Sequence, residues 1–289
     1  MAEHYFRVSN VPMKQKSFVS SFLSNLSVTG WLILVNVILF VLTLVLSSFI
    51  NVNKYFALQA NNLFNNYYIW TLLTSMFMHA GPFHLFVNML SLFFIGKFLE
   101  TILGKKRYFW LYILAGVFAS LFFAFFSYFF GVSGIGARIF VTPDTFAVGA
   151  SGAIFAIAGV LALLTPRNKV YLIAGPLLAI IVQAVLGNFI SSASILNIIN
   201  ILLTIYIFIC IFSMFSFNGV SKISVPIQMP FWLLPIIAIV PLIIIGLFIS
   251  LPIGNMAHLG GYIGGAVYGI YLRIKYPNKT RMLARSFAG

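Results

Sequence analysis

The residues best suited to chemistry in this chain begin with a serine set among glycines, Val148-Gly149-Ala150-Ser151-Gly152-Ala153-Ile154-Phe155, at the head of an apolar run that reaches Leu164. A serine hydroxyl is a weak nucleophile until a neighbouring base takes its proton. Downstream of Ser151 the only histidine is His258, in Gly254-Asn255-Met256-Ala257-His258-Leu259-Gly260-Gly261, which also heads an apolar, glycine-rich run. A serine activated by an imidazole performs acyl transfer. Ser151 as nucleophile and His258 as base are therefore the leading candidate pair, provided the fold joins them.

Other chemistries fall away for lack of residues. The carboxylates are Glu3, Glu100 and Asp144. A pair of acids facing each other within apolar segments cannot be assembled from them. No histidine belongs to a His-Glu-x-x-His helix of the zinc-hydrolase kind. Asp144, seven residues ahead of Ser151, is the one acid available as a third member of a Ser-His-Asp triad, with a solvated loop aspartate as the plain alternative. Cys210 stands alone within an apolar run, which excludes intrachain disulfides and cysteine-rich metal sites. No metal or organic cofactor is expected.

Acyl transfer also needs donors aimed at the developing oxyanion. His84 and Asn88 are four residues apart, which puts both on one face of a helix. Either can donate, and the backbone N–H of Ser151, near the unsatisfied start of its own helix, can add a third. The spacing fits an interhelical polar clamp equally well.

These residues must be positioned by apolar elements. The chain is 289 residues long, 62% hydrophobic and 7% charged. No soluble domain of that size buries so much apolar surface, so the fold class is an all-α polytopic membrane protein. Apolar runs at about 31–50, 83–100, 108–130, 148–165, 170–188, 194–217, 230–251 and 256–274 predict about eight crossings. The run opened by Trp31 is too long for a signal segment and is read as an uncleaved first helix. With the N-terminus inside, all of the 17 Lys and Arg residues except Lys54 and Arg138 fall on the cytosolic side. The net charge of +14 is thus an orientation signal, and nucleic acid is not an expected partner. Three crossings separate the serine helix from the histidine helix. An odd number lets both enter from the same, outer face, with Ser151 and His258 at similar depth. Gly260, Gly261, Gly264, Gly265 and Gly269 on one side, and Gly152, Ala156 and Gly159 on the other, offer small faces for close helix approach. The outer segments 51–82, with Tyr67, Tyr68 and Trp70, and 131–147 are too long for tight turns and are candidate functional loops.

At this point four motifs in order carry a resemblance. Trp70-Thr71-Leu72-Leu73-Thr74-Ser75-Met76-Phe77-Met78-His79, then His84-x-x-x-Asn88-Met89, then Gly149-Ala150-Ser151-Gly152, then Ala257-His258-Leu259-Gly260-Gly261 resemble the rhomboid intramembrane serine proteases. The resemblance spans most of 60–165 and 230–274. It implies Ser151 as nucleophile and His258 as general base and then acid, without an acidic third member. It implies an oxyanion hole of His84, Asn88 and the backbone of Ser151, with Gly149 in the turn. It also implies that Phe155 packs on the imidazole, where many relatives carry tyrosine. The implied substrate is the transmembrane helix of another membrane protein, cleaved without cofactor near the outer face of the lipid bilayer. Thr71 stands where the family often has an arginine. A six-helix core has one helix between serine and histidine, so 178–222 reads as an inserted two-helix hairpin.

The expected layout is a cytosolic arm at 1–30, a membrane domain at 31–274 and a basic cytosolic tail at 275–289, in the cell membrane, with the site opening to the extracytoplasmic side. Two rival readings remain: an inactive rhomboid-like protein that binds membrane helices, or a transporter or channel. Transporters tend to carry intramembrane acids or paired broken helices, and neither is evident.

Overall fold

The computed structural model describes residues 25–213, 225–248 and 254–286. Arg7, Lys14, Lys16 and Lys222, which entered the charge argument, lie outside the described residues, as does most of the expected N-terminal arm.

The first helix, α1 (Val28–Leu46), starts three residues earlier than the apolar run suggests because two caps hold it. Ser27 accepts from the Gly30 N–H, and the Glu100 carboxylate accepts from the backbone N–H groups of Val28 and Thr29 and from the Thr29 hydroxyl (2.7–3.0 Å). An anion at the positive end of a helix is stabilising, and here it ties that end to a later element. Three short helices follow: α2 (Val52–Phe56), α3 (Ala60–Asn66) and α4 (Thr71–Thr74). They fold the long segment 51–81 over the bundle end. Trp70 Nε1 donates to the Tyr55 carbonyl and Thr74 Oγ1 to the Phe56 carbonyl, both at 2.8 Å. Thr71 is fully buried and donates to the Tyr68 carbonyl, so the loop is braced here through backbone oxygens.

Next come α5 (Pro82–Leu103), which carries Glu100 and widens by one turn at Leu92–Gly96, and α6 (Lys105–Phe130). Gly104, at φ +79°, makes the sharp reversal between them. A six-residue helix, α7 (Gly134–Ile139), leads towards α8 (Ser151–Leu164). This last helix is buried almost all round, with Ala156, Ile157, Val160 and Leu161 wholly enclosed. A helix apolar on every face belongs in the centre of a bundle.

The apolar run expected at 170–188 divides in two. Its first residues form β1 (Lys169–Ile173), and only then does α9 (Ala174–Phe189) begin. The structure continues with α10 (Ala193–Ser213), β2 (Pro226–Pro230), α11 (Leu234–Phe248, preceded by one tight turn), α12 (Asn255–Lys275) and α13 (Pro277–Ser286). The strands pair antiparallel, Lys169 with Pro230 through Ile173 with Pro226. This ribbon joins the points where the chain leaves and re-enters the bundle, and each strand supplies hydrogen-bond partners for the other. A short run with valine, tyrosine and isoleucine is ambiguous between helix and strand from pattern alone.

Among the described residues five helices are long and apolar enough to cross a membrane: Val28–Leu46, Pro82–Leu103, Lys105–Phe130, Ala193–Cys210 and Phe231–Phe248. Ser151–Leu164 and Ala174–Gly187 are shorter apolar helices, and Asn255–Lys275 is a glycine-rich helix of 21 residues.

Candidate active site

The site is made where α8 and α12 begin. Both helices start at the same end of the bundle, and their closest faces are stripped of side chains. A Cβ on Gly261 would collide with the Gly152 carbonyl, and one on Gly265 with the Ala156 carbonyl. From the other side, Gly159 faces the backbone of Tyr262 and Ala266. Not all of the glycine stripe serves this seam: Gly260 and Gly264 pack against Phe122 and Phe118 of α6. Spacing of four defines a face, and two faces about 100° apart grip two neighbours.

With backbones this close, side chains in the first turns meet. Ser151 Oγ lies 2.9 Å from His258 Nε2. The His258 ring stacks on Phe155, one turn along α8, with centroids 4.5 Å apart and planes inclined by 22°. Stacking fixes the ring plane while leaving its edge free to exchange a proton. His258 Nδ1 is buried and has no hydrogen-bond partner among the described residues. For Nε2 to accept from serine, the neutral ring carries its proton on Nδ1, and no carboxylate meets it there. Asp144 is engaged elsewhere: its Oδ1 accepts from Asn61 Nδ2 and its carbonyl from Gln59 Nε2, both at 2.6 Å. It clasps segments 51–81 and 131–149 together, beside a backbone bridge between Leu58 and Ala147.

Opposite the imidazole, Gly149 adopts φ +123°, a conformation open to glycine and strained for other residues. Its N–H donates to the Ser75 carbonyl at 2.9 Å, which pins the turn. A side chain here would also be blocked. Its Cβ would lie 2.9 Å from His84 Nε2 and 3.4 Å from Asn88 Nδ2. Two side chains from one face of α5 therefore converge beside the backbone that leads into Ser151. The Ala80 N–H donates to His84 Nδ1 at 3.4 Å, so in the neutral ring Nε2 holds the proton and points at Gly149. Asn88 Nδ2 is buried without an acceptor among the described residues. An unpaired buried donor costs about 1–3 kcal/mol, and an arriving oxyanion would relieve it.

The structure thus brings together Ser151, His258, Phe155, Gly149, His84 and Asn88. Sequence reasoning left out one contributor and gave another no role. The Ser75 carbonyl is a backbone group and carries no side-chain signal. His79, a candidate by its histidine type and its place at a helix head, is buried with its ring edge-on to His84 at 5.2 Å. Burial, reinforced by repulsion from His84, holds its pKa down at about 3, so it stays neutral and supports the neighbouring ring. The two imidazoles find no third ligand: among the described residues no group of three His, Cys, Asp or Glu side chains is arranged to hold a metal ion.

Reach follows from length. The fourteen residues of α8 rise about 21 Å, against a hydrocarbon core of about 30 Å. A helix that short does not span the core by itself, and residues from 51–81 and 131–149 pack at its Ser151 end, where Gly149 N–H meets the Ser75 carbonyl and Leu58 pairs with Ala147.

Comparison with known proteins agrees with this architecture. A model of the rhomboid domain matches residues 66–204, a stretch that includes His84, Asn88 and Ser151 and ends before His258. RHOMBOID-like protein 1 of Arabidopsis thaliana is 37% identical over 112 residues, 39% of this chain and 25% of that protein. YdcA of Bacillus subtilis, provisionally named a rhomboid protease, is 35% identical over 91 residues, 32% of this chain and 39% of that protein. Inactive RHOMBOID-like protein 8 of Arabidopsis thaliana is 45% identical over 60 residues, 21% of this chain and 17% of that protein. Each match spans well under half the length of the relative. Residues 66–204 are similar to the rhomboid domain, and the chain is an integral, multi-pass membrane protein.

Proposed function

We propose that the chain is an intramembrane serine endopeptidase that cleaves transmembrane segments of other membrane proteins with a Ser151–His258 dyad. The observation that carries this reading is the 2.9 Å contact between Ser151 Oγ and His258 Nε2, reached from residues 107 positions apart. In the proposed reaction His258 Nε2 takes the serine proton as Oγ adds to the scissile carbonyl. The oxyanion forms beside Gly149, within reach of His84 Nε2–H, Asn88 Nδ2–H and the backbone N–H of Ser151. His258 then passes its proton to the leaving amine, and water releases the acyl group by the same route in reverse. Phe155 holds the imidazole plane throughout.

The accompanying topology is a six-helix core plus the α9–α10 hairpin as an insert, eight crossings in all. Both termini are cytosolic and the site opens to the extracytoplasmic side of the cell membrane. The domain limits remain those of the sequence reading: an arm at 1–30, a membrane domain at 31–274 with its insert near 178–222, and a tail at 275–289.

The match to a relative named inactive favours a second reading, a membrane-helix binding protein without catalysis. Retention and contact of both dyad residues argue against it. The test is reconstitution of the full chain with a transmembrane substrate and detection of products by mass spectrometry. Cleavage that disappears in Ser151→Ala supports the protease; intact substrate with wild type, or cleavage undiminished in Ser151→Ala, refutes it.

A further inference from the structure

At the end of the bundle far from Ser151 lies a cavity of about 540 Å³, where α5 stops, α6 starts and α12 hands over to α13. Ile102, Leu164, Leu272 and Leu283 give it an apolar wall, and Arg107 and Lys279 add two cations. Arg107 is held in place: its Nη2 donates to the Tyr276 hydroxyl at 3.3 Å and its guanidinium sits 5.5 Å from the Tyr276 ring centre. The spans Pro82–Leu103 and Lys105–Phe130 end and begin here, so the cavity sits at a membrane–water boundary.

Among the described residues no carboxylate pairs with the cations of this cavity. The first turn of α6 is Lys105-Lys106-Arg107, with no acidic residue and no side-chain cap, so three cations stand at the positive end of a helix dipole. Lys275, Lys279, Arg281 and Arg285 follow on α12 and α13. Glu100 is committed to the start of α1, Asp144 to the loops at the opposite end, and Glu3 lies outside the described residues. Among the described residues no carboxylate is placed to compensate this charge. A free phosphate would gain nothing from the leucine and isoleucine wall, whereas a lipid would satisfy both halves of the cavity.

We propose that this cavity binds an anionic phospholipid, with Arg107 and Lys279 on its phosphate headgroup and the upper part of an acyl chain against Leu164, Leu272 and Leu283. Juxtamembrane cations between helix ends recognise such headgroups by the same chemistry. The site is separate from Ser151 and stands whether or not the chain is a protease.

The experiment is native mass spectrometry of the full chain in detergent, titrated with phosphatidylglycerol, with phosphatidylcholine, or with phosphatidylglycerol plus millimolar inorganic phosphate. Wild type is expected to retain phosphatidylglycerol over phosphatidylcholine, and Lys279→Gln to weaken that retention roughly fivefold, the contribution typical of one cation near a headgroup. Arg107→Gln together with Lys279→Gln should remove the preference. Arg285→Gln takes a charge from the same helix but not from the cavity wall, and Lys54→Gln takes one from the opposite end; both should bind as wild type does. Lys279 is exposed, so its loss leaves the fold intact even if Arg107→Gln does not. Equal weakening by Arg285→Gln, undiminished binding in the double variant, or displacement by inorganic phosphate would each overturn the proposal.

Discussion

The α8–α12 seam and the α9–α10 hairpin are made of opposite materials. At the seam, Gly159, Gly261 and Gly265 remove side chains until backbone meets backbone, and a glycine-to-alanine change has nowhere to go. In the hairpin, large residues such as Leu178, Val182, Ile198, Ile201 and Phe212 face outwards. Its attachment to α5 is a small apolar cluster: Ala179 and Ile207 against Phe83 and Leu90, with Phe83 and Phe208 rings 5.9 Å apart. Lipid solvates large apolar side chains as well as a protein interior does, so apolar area alone gives membrane helices little reason to associate. Close fit is what fixes geometry there. The seam therefore holds the proposed dyad in a geometry that tolerates little displacement, while the hairpin is held to α5 by a few apolar contacts.

The strongest way to break that contrast lies in the seam's own reacting groups. Ser151→Ala or His258→Ala should reduce cleavage of a transmembrane substrate by about 10⁴-fold or more while the protein still inserts and folds; an assay in detergent reads it directly. Asn88→Ala should cost about 10²–10³ in kcat with little change in KM, as removal of one oxyanion donor does. Were Asn88 only an interhelical clamp, melting temperature would fall and kcat would not.

Packing of the seam comes next. Gly265→Ala should lower stability by about 1–3 kcal/mol, because its Cβ must push the Ala156 carbonyl away. Gly187→Ala in the hairpin, where a Cβ would meet nothing within 4 Å, should be neutral or slightly stabilising. Thermal unfolding of both variants puts the two regions on one scale, and equal losses would erase the distinction.

Acid offers a weaker probe. Because folding depresses the His79 pKa from 6.5 to about 3, the unfolded chain takes up this proton first as pH falls. The group's contribution to stability is therefore complete above pH 6.5 and declines as pH drops through 6 and 5. His79→Gln should flatten that decline in unfolding measurements. A small effect on activity belongs to Phe208→Ala, which gives up one ring contact of about 0.5–1.5 kcal/mol and should leave kcat within about twofold.

Much of the site was legible because its logic is one of parity and scarcity. An odd number of crossings between Ser151 and His258 sets both at the same end, and few other residues in the chain can do acid–base work. The short apolar helix at Ser151, the helix at His258 and the shared face of His84 and Asn88 follow from local spacing. What spacing could not give was the partner of each face. Gly260 and Gly264 were indistinguishable in sequence from Gly261 and Gly265, yet they lie against α6. The cap that Glu100 places on α1 joins residues more than seventy positions apart, and nothing near either end announces it. Residues 170–173 read as helix because they continue an apolar run, and pairing with 226–230 makes them a strand. The role of Ser75 was invisible because only its carbonyl takes part.

The central claim is that Ser151 is an activated nucleophile and that His258 activates it. It is tested most directly by labelling the full-length protein in detergent with a fluorophosphonate serine-hydrolase probe, wild type beside Ser151→Ala and His258→Ala, and mapping the adduct by mass spectrometry. The account predicts a covalent adduct on Ser151 in wild type and none in either variant. A folded wild type that takes no label, or a His258→Ala protein that labels as fast as wild type, would contradict it.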